Sequence, residues 1–221
     1  MRYLFIIYLF SISLLGQSGL PDKTTMPLLP LAAKIPSISE LIAKANAGDT
    51  SAACALGDCY YSGNGVHQDY VEGTKWYRKA AEKGNVDGQL GLGIAFLWGQ
   101  GVPKDPTEAA KWIRLAAEQG HTEAQYLIGG LYEKGIGVTM DSIEAVEWYK
   151  KAAERENADA ECALGGCYVS GIGVSKDISE GVKWLKKAGK HGSTLAQTIL
   201  GNCYQEGYAG FPKDVVEAVR W

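Results

Sequence analysis

The sequence has few of the residues that perform catalysis, and it lacks the short motifs in which they occur. It holds three histidines, His67, His121 and His191, at unrelated positions. It contains no H-E-x-x-H zinc motif, no G-x-S-x-G nucleophile motif and no paired C-x-x-C motif. We therefore expect no catalytic residues, no metal ligands, no cofactor and no enzymatic activity.

The chain also lacks an excess of charge of either sign. Its 22 basic and 25 acidic residues give a net charge of −3, and neither sign forms a long run. Nucleic-acid-binding domains usually carry a basic patch or stripe, and charged tails are blocks of like charge. The composition therefore favours a globular protein without a nucleic-acid partner.

Long hydrophobic runs are absent except for a short one at the N-terminus. Tyr3 to Leu15 is apolar and follows Arg2, but its length of about 13 residues is below the roughly 20 that a spanning helix needs. Gly16 and Ser18 stand at positions −3 and −1 of a cleavage site after Ser18. This pattern predicts a signal peptide over 1–18 and a secreted or periplasmic protein. The alternative is an uncleaved N-terminal membrane anchor.

Proline is scarce outside one segment, since four of the seven prolines lie within residues 19–36. Proline stops helices and favours extended backbone. Residues 19–36 are therefore predicted to be a spacer.

What the sequence does contain is a repeat. Tryptophan recurs every 36 residues from Trp76 to Trp184, with Trp221 following 37 later, and glycine recurs every 36 residues from Gly57 to Gly201. A fixed period of this length indicates an array of repeats that stack into one continuous core. We divide residues 37–221 into a half-repeat cap and five repeats, 37–48, 49–84, 85–120, 121–156, 157–192 and 193–221. The last copy ends within its second helix, as expected of a fragment or of a short terminal cap.

Each repeat carries the end signals of two helices. The first should follow an N-cap and end at glycine; the caps are Asp49, Asn85, His121, Asn157 and Ser193, and the glycines are Gly63, Gly99, Gly135, Gly171 and Gly207. The second should begin at aspartate, which is always followed three residues later by glutamate, as at Asp69 and Glu72. This D-x-x-E pattern predicts a capping box. Because it recurs at every such start, we interpret it as capping and not as an acid–base or metal site.

The recurring mid-helix glycine predicts close contact between the two helices of a repeat. Gly57 and its equivalents share a helix face with leucine or isoleucine, as in Leu56 and Gly57. A glycine inside a helix costs about 1 kcal/mol relative to alanine. We therefore expect a close approach, with the tryptophan of the second helix lying near this glycine.

The consensus A-x-x-x-L-G-x-x-Y-x-x-G-x-G-V-x-x-D-x-x-E-A/G-x-x-W-Y-x-K-A-A-x-x-G resembles the Sel-one-like repeat family, which is related to tetratricopeptide repeats. The resemblance covers about residues 37–221. It implies an all-α fold, a right-handed α-solenoid of helix-turn-helix repeats, which acts as an adaptor in protein complexes and shares no catalytic residues. Our first hypothesis is a non-catalytic scaffold that binds a protein or peptide on its concave face.

A second hypothesis comes from a cysteine-rich branch of that family. Its resemblance implies disulfides that join the two helices of a repeat, and an exported cell-wall or penicillin-binding, β-lactamase-like protein. Here all five cysteines, Cys54, Cys59, Cys162, Cys167 and Cys203, lie in first helices. Equivalent helices stack about 8–10 Å apart, farther than the roughly 7 Å between Cα atoms that a disulfide spans. We therefore expect five free thiols.

The binding groove should lie where the repeats differ, on first helices that usually line the concave face of a solenoid. The second repeat is strongly apolar there, and exposed apolar patches commonly mark interaction sites. The alternative is that this stripe forms additional core between repeats. The predicted groove residues are Tyr61, Leu90, Ile94, Leu97, Trp98, Tyr126 and Glu133.

Overall fold

The computed structural model of the chain describes residues 37–207 and 211–221. The predicted signal peptide (1–18) and spacer (19–36) lie outside these residues. The described part is helical throughout and contains no strand. Its helices, in chain order, are α1 Ile38–Asn46, α2 Thr50–Ser62, α3 Tyr70–Ala81, α4 Val86–Trp98, α5 Pro106–Glu118, α6 Thr122–Lys134, α7 Ser142–Ala153, α8 Ala158–Ser170, α9 Ile178–Lys190, α10 Thr194–Glu206 and α11 Val215–Arg220.

The predicted all-α solenoid of two-helix repeats is confirmed. Helix α1 lies in the segment predicted to be a half-repeat cap, and α2 to α11 form five pairs. We call α2, α4, α6, α8 and α10 the first helices and the other members of these pairs the second helices. Each helix packs against the next in the chain, and α2 also packs against α4. One leucine or isoleucine per first helix has no exposed surface; these are Leu56, Leu92, Ile128, Leu164 and Leu200.

The predicted limits of the first helices are confirmed. Each of the five cap side chains accepts the backbone N–H three residues on, and even His121 does so, through Nδ1 at 3.3 Å from the nitrogen of Ala124. The terminal glycines all have left-handed backbone, with φ of 66° to 76°. Non-glycine residues rarely adopt this conformation, so these glycines end the helices.

The predicted capping box of the second helices is only half correct. The carboxylate of Asp69 accepts the N–H groups of Val71 and Glu72. However, the N–H of Asp69 donates to the carbonyl of Tyr60 at 2.9 Å, so Glu72 does not cap it and pairs with Lys75 at 2.8 Å. The same donation recurs at Asp105, Asp141, Asp177 and Asp214, each toward the last turn of the preceding first helix. This backbone bond closes every hairpin of the described array.

The predicted contact of the mid-helix glycine is displaced by one residue. A Cβ atom on Gly129 would lie 2.7 Å from Cε1 of Tyr149, the residue after Trp148. Gly57, Gly93 and Gly165 likewise face the residue that follows the tryptophan. One residue turns a helix by about 100°, which points this side chain to the glycine. Trp148 instead donates to Glu144 and lies under the ammonium of Lys151.

Within the described residues, none of the helices combines the length and apolar character that crossing a bilayer requires. All five cysteines are free thiols, and four of them are buried.

Candidate functional site

A cleft of about 360 Å³ lies between the first helices α2 and α4. The second helix α3 contributes one ring to its floor. Its lining residues are Ser51, Cys54, Ala55, Asp58, Tyr77, Asp87, Leu90, Gly91 and Ile94.

The cleft exists because small residues flank the ring of Tyr77. A Cβ atom on Gly57 would lie 2.5 Å from this ring, and one on Gly91 would lie 2.9 Å from it. The position of Gly91 holds Leu127 and Ile199 in later repeats. A side chain of that size at residue 91 would meet the ring, so glycine leaves space between α2 and α4.

Two carboxylates face this cleft. The hydroxyl of Tyr77 donates to Asp58 at 2.6 Å, and Nε2 of His121 lies 3.2 Å from Oδ1 of Asp87. Burial is the main cause that raises the pKa of Asp58, and the nearby charge of Asp87 adds to it. These groups give the cleft an acidic character beside an apolar wall.

The thiol that lines the cleft is not activated as a nucleophile. Burial raises the pKa of the Cys54 thiol to about 12, with further contributions from Asp58 and Asp87, so the thiol stays protonated at neutral pH. In the described residues, no group of three or more histidine, cysteine, aspartate or glutamate side chains could hold a metal ion.

The structure brings two of the predicted groove residues, Leu90 and Ile94, into the cleft. Leu90 is only 7% exposed and belongs to the core, and Leu97 and Tyr126 are partly buried against the same core. Trp98, in contrast, is 50% exposed at the end of α4. The stripe is thus partly core between repeats and partly surface.

The other two predicted residues make hydrogen bonds within the array. The hydroxyl of Tyr61 lies 2.9 Å from Oγ1 of Thr74 and donates to the carbonyl of Gln100 in the next repeat. Glu133 accepts from the hydroxyl of Tyr149 at 2.9 Å. Both side chains therefore have structural partners, and neither lines the cleft.

Sequence reasoning missed most of the cleft. Cys54 and Asp58 stand on a first helix where the repeats differ, but they are not among the predicted groove residues. Asp87 fits the favourable interaction of an acid with a helix N-terminus, and the position of Tyr77 is apolar or aromatic in the next three repeats. The available signal was Asp58, whose position is uncharged in the other repeats.

Comparison with known protein families identifies the repeats. Five consecutive segments, 50–85, 86–121, 122–157, 158–193 and 194–221, match the family model described as Sel1 repeat. No curated protein gives a significant match.

Two solved structures resemble the fold at substantial identity. A protective antigen present in uropathogenic Escherichia coli strains, displaying an SLR fold, matches with a TM-score of 0.77 and 38% identity over 82% of this chain. This chain spans 38% of that antigen's length. A Sel1 repeat protein from Oxalobacter formigenes matches with a TM-score of 0.77 and 33% identity, over 83% of this chain and 73% of its own.

Proposed function

Because the chain belongs to the Sel1 repeat family, whose members generally act as protein-interaction scaffolds, we propose that it is a non-catalytic scaffold. It binds a protein or peptide along the face formed by its first helices, centred on α2 and α4. The single observation that supports this site is the open cleft between these helices, with Leu90 and Ile94 in its wall.

Trp98 extends the site beyond the cleft. It lies four residues after Ile94, and residues at this spacing share a helix face. Its ring is half exposed although its neighbours Leu97 and Ala95 are at least partly buried. Tryptophan is a frequent anchor of protein interfaces. We assign the role of an anchor to Trp98, with Tyr61, Leu97, Tyr126 and Glu133 as the frame that holds α2, α4 and α6 in place.

The experiment is affinity capture from the native cell with the wild-type chain, Trp98→Asp and a matched control, Ile143→Asp. Ile143 is a second large exposed apolar residue, 67% exposed in the first turn of α7. We expect one protein to be captured by the wild type and by Ile143→Asp, and lost with Trp98→Asp. Circular dichroism must show equal helicity for all three chains.

Loss of that protein in both variants, or in neither, would contradict this site. A purified partner should then bind the wild type directly, in a ratio that titration calorimetry measures. Enzymatic turnover of the partner by the chain would contradict the non-catalytic role.

The alternative of a cell-wall or penicillin-binding protein gains no support from the described residues. The cysteine-rich branch implies disulfides within repeats, whereas the five cysteines here are free thiols. We also propose that the scaffold is exported, on the basis of residues 1–18 alone. N-terminal sequencing of the native protein should then give Gly19 as its first residue.

A further inference from the structure

Charge is distributed unequally between the two sets of helices. Within the first helices, all of them described, Lys134 is the one basic residue. The acidic residues there that are not fully buried are Asp58, Asp87, Glu123, Glu133, Asp159 and Glu206. The second helices have the opposite balance, with more lysine and arginine than glutamate. The net charge of −3 conceals this separation.

The cleft carries two of these acidic residues and no basic one. Asp58 and Asp87 both line it, and its lining contains no lysine or arginine. Neither protein donor that contacts these two carboxylates belongs to a lysine or an arginine. One is the hydroxyl of Tyr77. The other is Nε2 of His121, whose Nδ1 accepts the N–H of Ala124.

Asp58 and Asp87 are both exposed at the cleft and carry like charge, and a cation between them relieves their repulsion. Burial is the main cause of the raised pKa of Asp58, and the charge of Asp87 contributes to it. A bare divalent metal is a poor occupant, because Ca²⁺ takes six to eight oxygen ligands and two carboxylates supply few of them. An ammonium or guanidinium group on an aliphatic stem fits better, since such stems lie along apolar walls while the charged end stays near water.

Building on the proposed scaffold function, we propose that the cleft between α2 and α4 docks a basic segment of a protein partner. A lysine or arginine of that segment lies between Asp58 and Asp87, its stem lies against Leu90 and Ile94, and a neighbouring apolar residue lies toward Trp98. Charge complementarity selects this occupant over an acidic or purely apolar peptide.

The test uses a fluorescein-labelled peptide in which lysine and leucine alternate with serine, and two counterparts with glutamine or glutamate in place of lysine. Fluorescence anisotropy measures binding to the full chain at about 50 and 300 mM salt. We expect the lysine peptide to bind the wild type at least about tenfold more tightly than either counterpart. Its affinity should fall several-fold at the higher salt concentration, because salt screens exposed charges.

The decisive variant is Asp58→Asn with Asp87→Asn, since asparagine can still accept from Tyr77. The matched control is Glu123→Gln with Asp159→Asn, which removes two charges at the positions equivalent to Asp87 in the next repeats. We expect the cleft variant to lower affinity about tenfold and the control to change it less than about twofold. Equal losses would overturn the proposal, because a diffuse field and not the cleft would then bind the peptide.

Three further outcomes would also overturn the proposal. The first is equal binding of the three peptides, and the second is binding of none of them. The third is binding of free spermidine as tightly as the lysine peptide, because the cleft would then be a site for small cations. Each outcome leaves the scaffold function standing if the capture that depends on Trp98 succeeds, so the two proposals fail separately.

Discussion

Glu161 offers the sharpest test of how neighbouring helices are held together. Its side chain has no exposed surface, and its carboxylate lies 2.9 Å from Nζ of Lys187 and 2.9 Å from Nδ1 of His191. Lys187 and His191 belong to the last turn and C-cap of α9, and their side chains are 40% and 31% exposed. The two sides of this contact therefore differ in their access to water.

This difference predicts unequal effects of removing each side. The double substitution Lys187→Ala with His191→Ala leaves a buried carboxylate without these partners, and removal of the partner of a buried charge costs about 3–5 kcal/mol. Glu161→Gln leaves a neutral amide that still accepts a hydrogen bond, and lets Lys187 and His191 turn to water. We expect it to cost about 1 kcal/mol.

The second repeat supplies a natural control. Gln89 and Gln119 stand at the positions equivalent to Glu161 and His191, and Nε2 of Gln119 donates to Oε1 of Gln89 at 2.7 Å. The site therefore accommodates an amide. Gln119→Ala leaves a buried but neutral group, for which about 1–3 kcal/mol is expected.

Urea unfolding at pH 7, followed by circular dichroism, measures all of these changes. The critical comparison adds Glu161→Gln to the Lys187→Ala and His191→Ala background. Removal of the buried charge should restore about 2–3 kcal/mol. A triple variant that is no more stable than the double variant would refute the reasoning, because the penalty would then come from lost packing and not from an unpaired charge.

Three other predictions concern packing, capping and thiol reactivity. Gly129→Ala should destabilise the array by about 1–3 kcal/mol, because the added Cβ would lie 2.7 Å from Tyr149. Gly201→Ala should cost less, because its Cβ meets only the carbonyl of Ala218 at 3.3 Å. Equal urea midpoints for the two variants would contradict this. Asp105→Ala should lower the free energy of unfolding by about 0.5–2 kcal/mol, because it removes an N-cap. Glu108→Gln should lower it by at most about 1 kcal/mol, because the partner of Glu108 is the exposed Lys111. Thermal unfolding of both variants measures the difference. Burial raises the pKa of Cys54 and Cys162 to about 12, so at pH 8 both thiols should react with a thiol reagent only after unfolding. The partly exposed Cys59 should react first. Fast labelling of Cys162 in the native chain would contradict this prediction.

The helix limits could be predicted because their causes are local. A capping side chain reaches a backbone N–H three residues away, and a left-handed residue ends a helix wherever it occurs, so Asp49 and Gly63 reveal their roles without knowledge of the fold. Because the sequence repeats every 36 residues, each of these helix signals occurs five times. The fixed period also explains the correct prediction of an all-α array of stacked repeats.

The errors arose where the answer depends on a second helix. The sequence shows that Glu72 stands three residues after Asp69, but not that the N–H of Asp69 is already used by the carbonyl of Tyr60. It shows a tryptophan at every repeat, but the rotation of the second helix decides that Tyr149 and not Trp148 faces Gly129. In both cases the partner comes from a neighbouring helix.

The sequence by itself determined the repeat, its two helices, the caps and the family, because each follows from a pattern along one chain. Only the tertiary structure decided where a ligand finds space. Asp58 and Asp87 lie in different repeats, each with a plausible local role. They face one cleft because α2 packs against α4, where Gly91 faces the ring of Tyr77. Such a site depends on the distance between two helices of different repeats, and the repeat pattern of the sequence does not contain this distance.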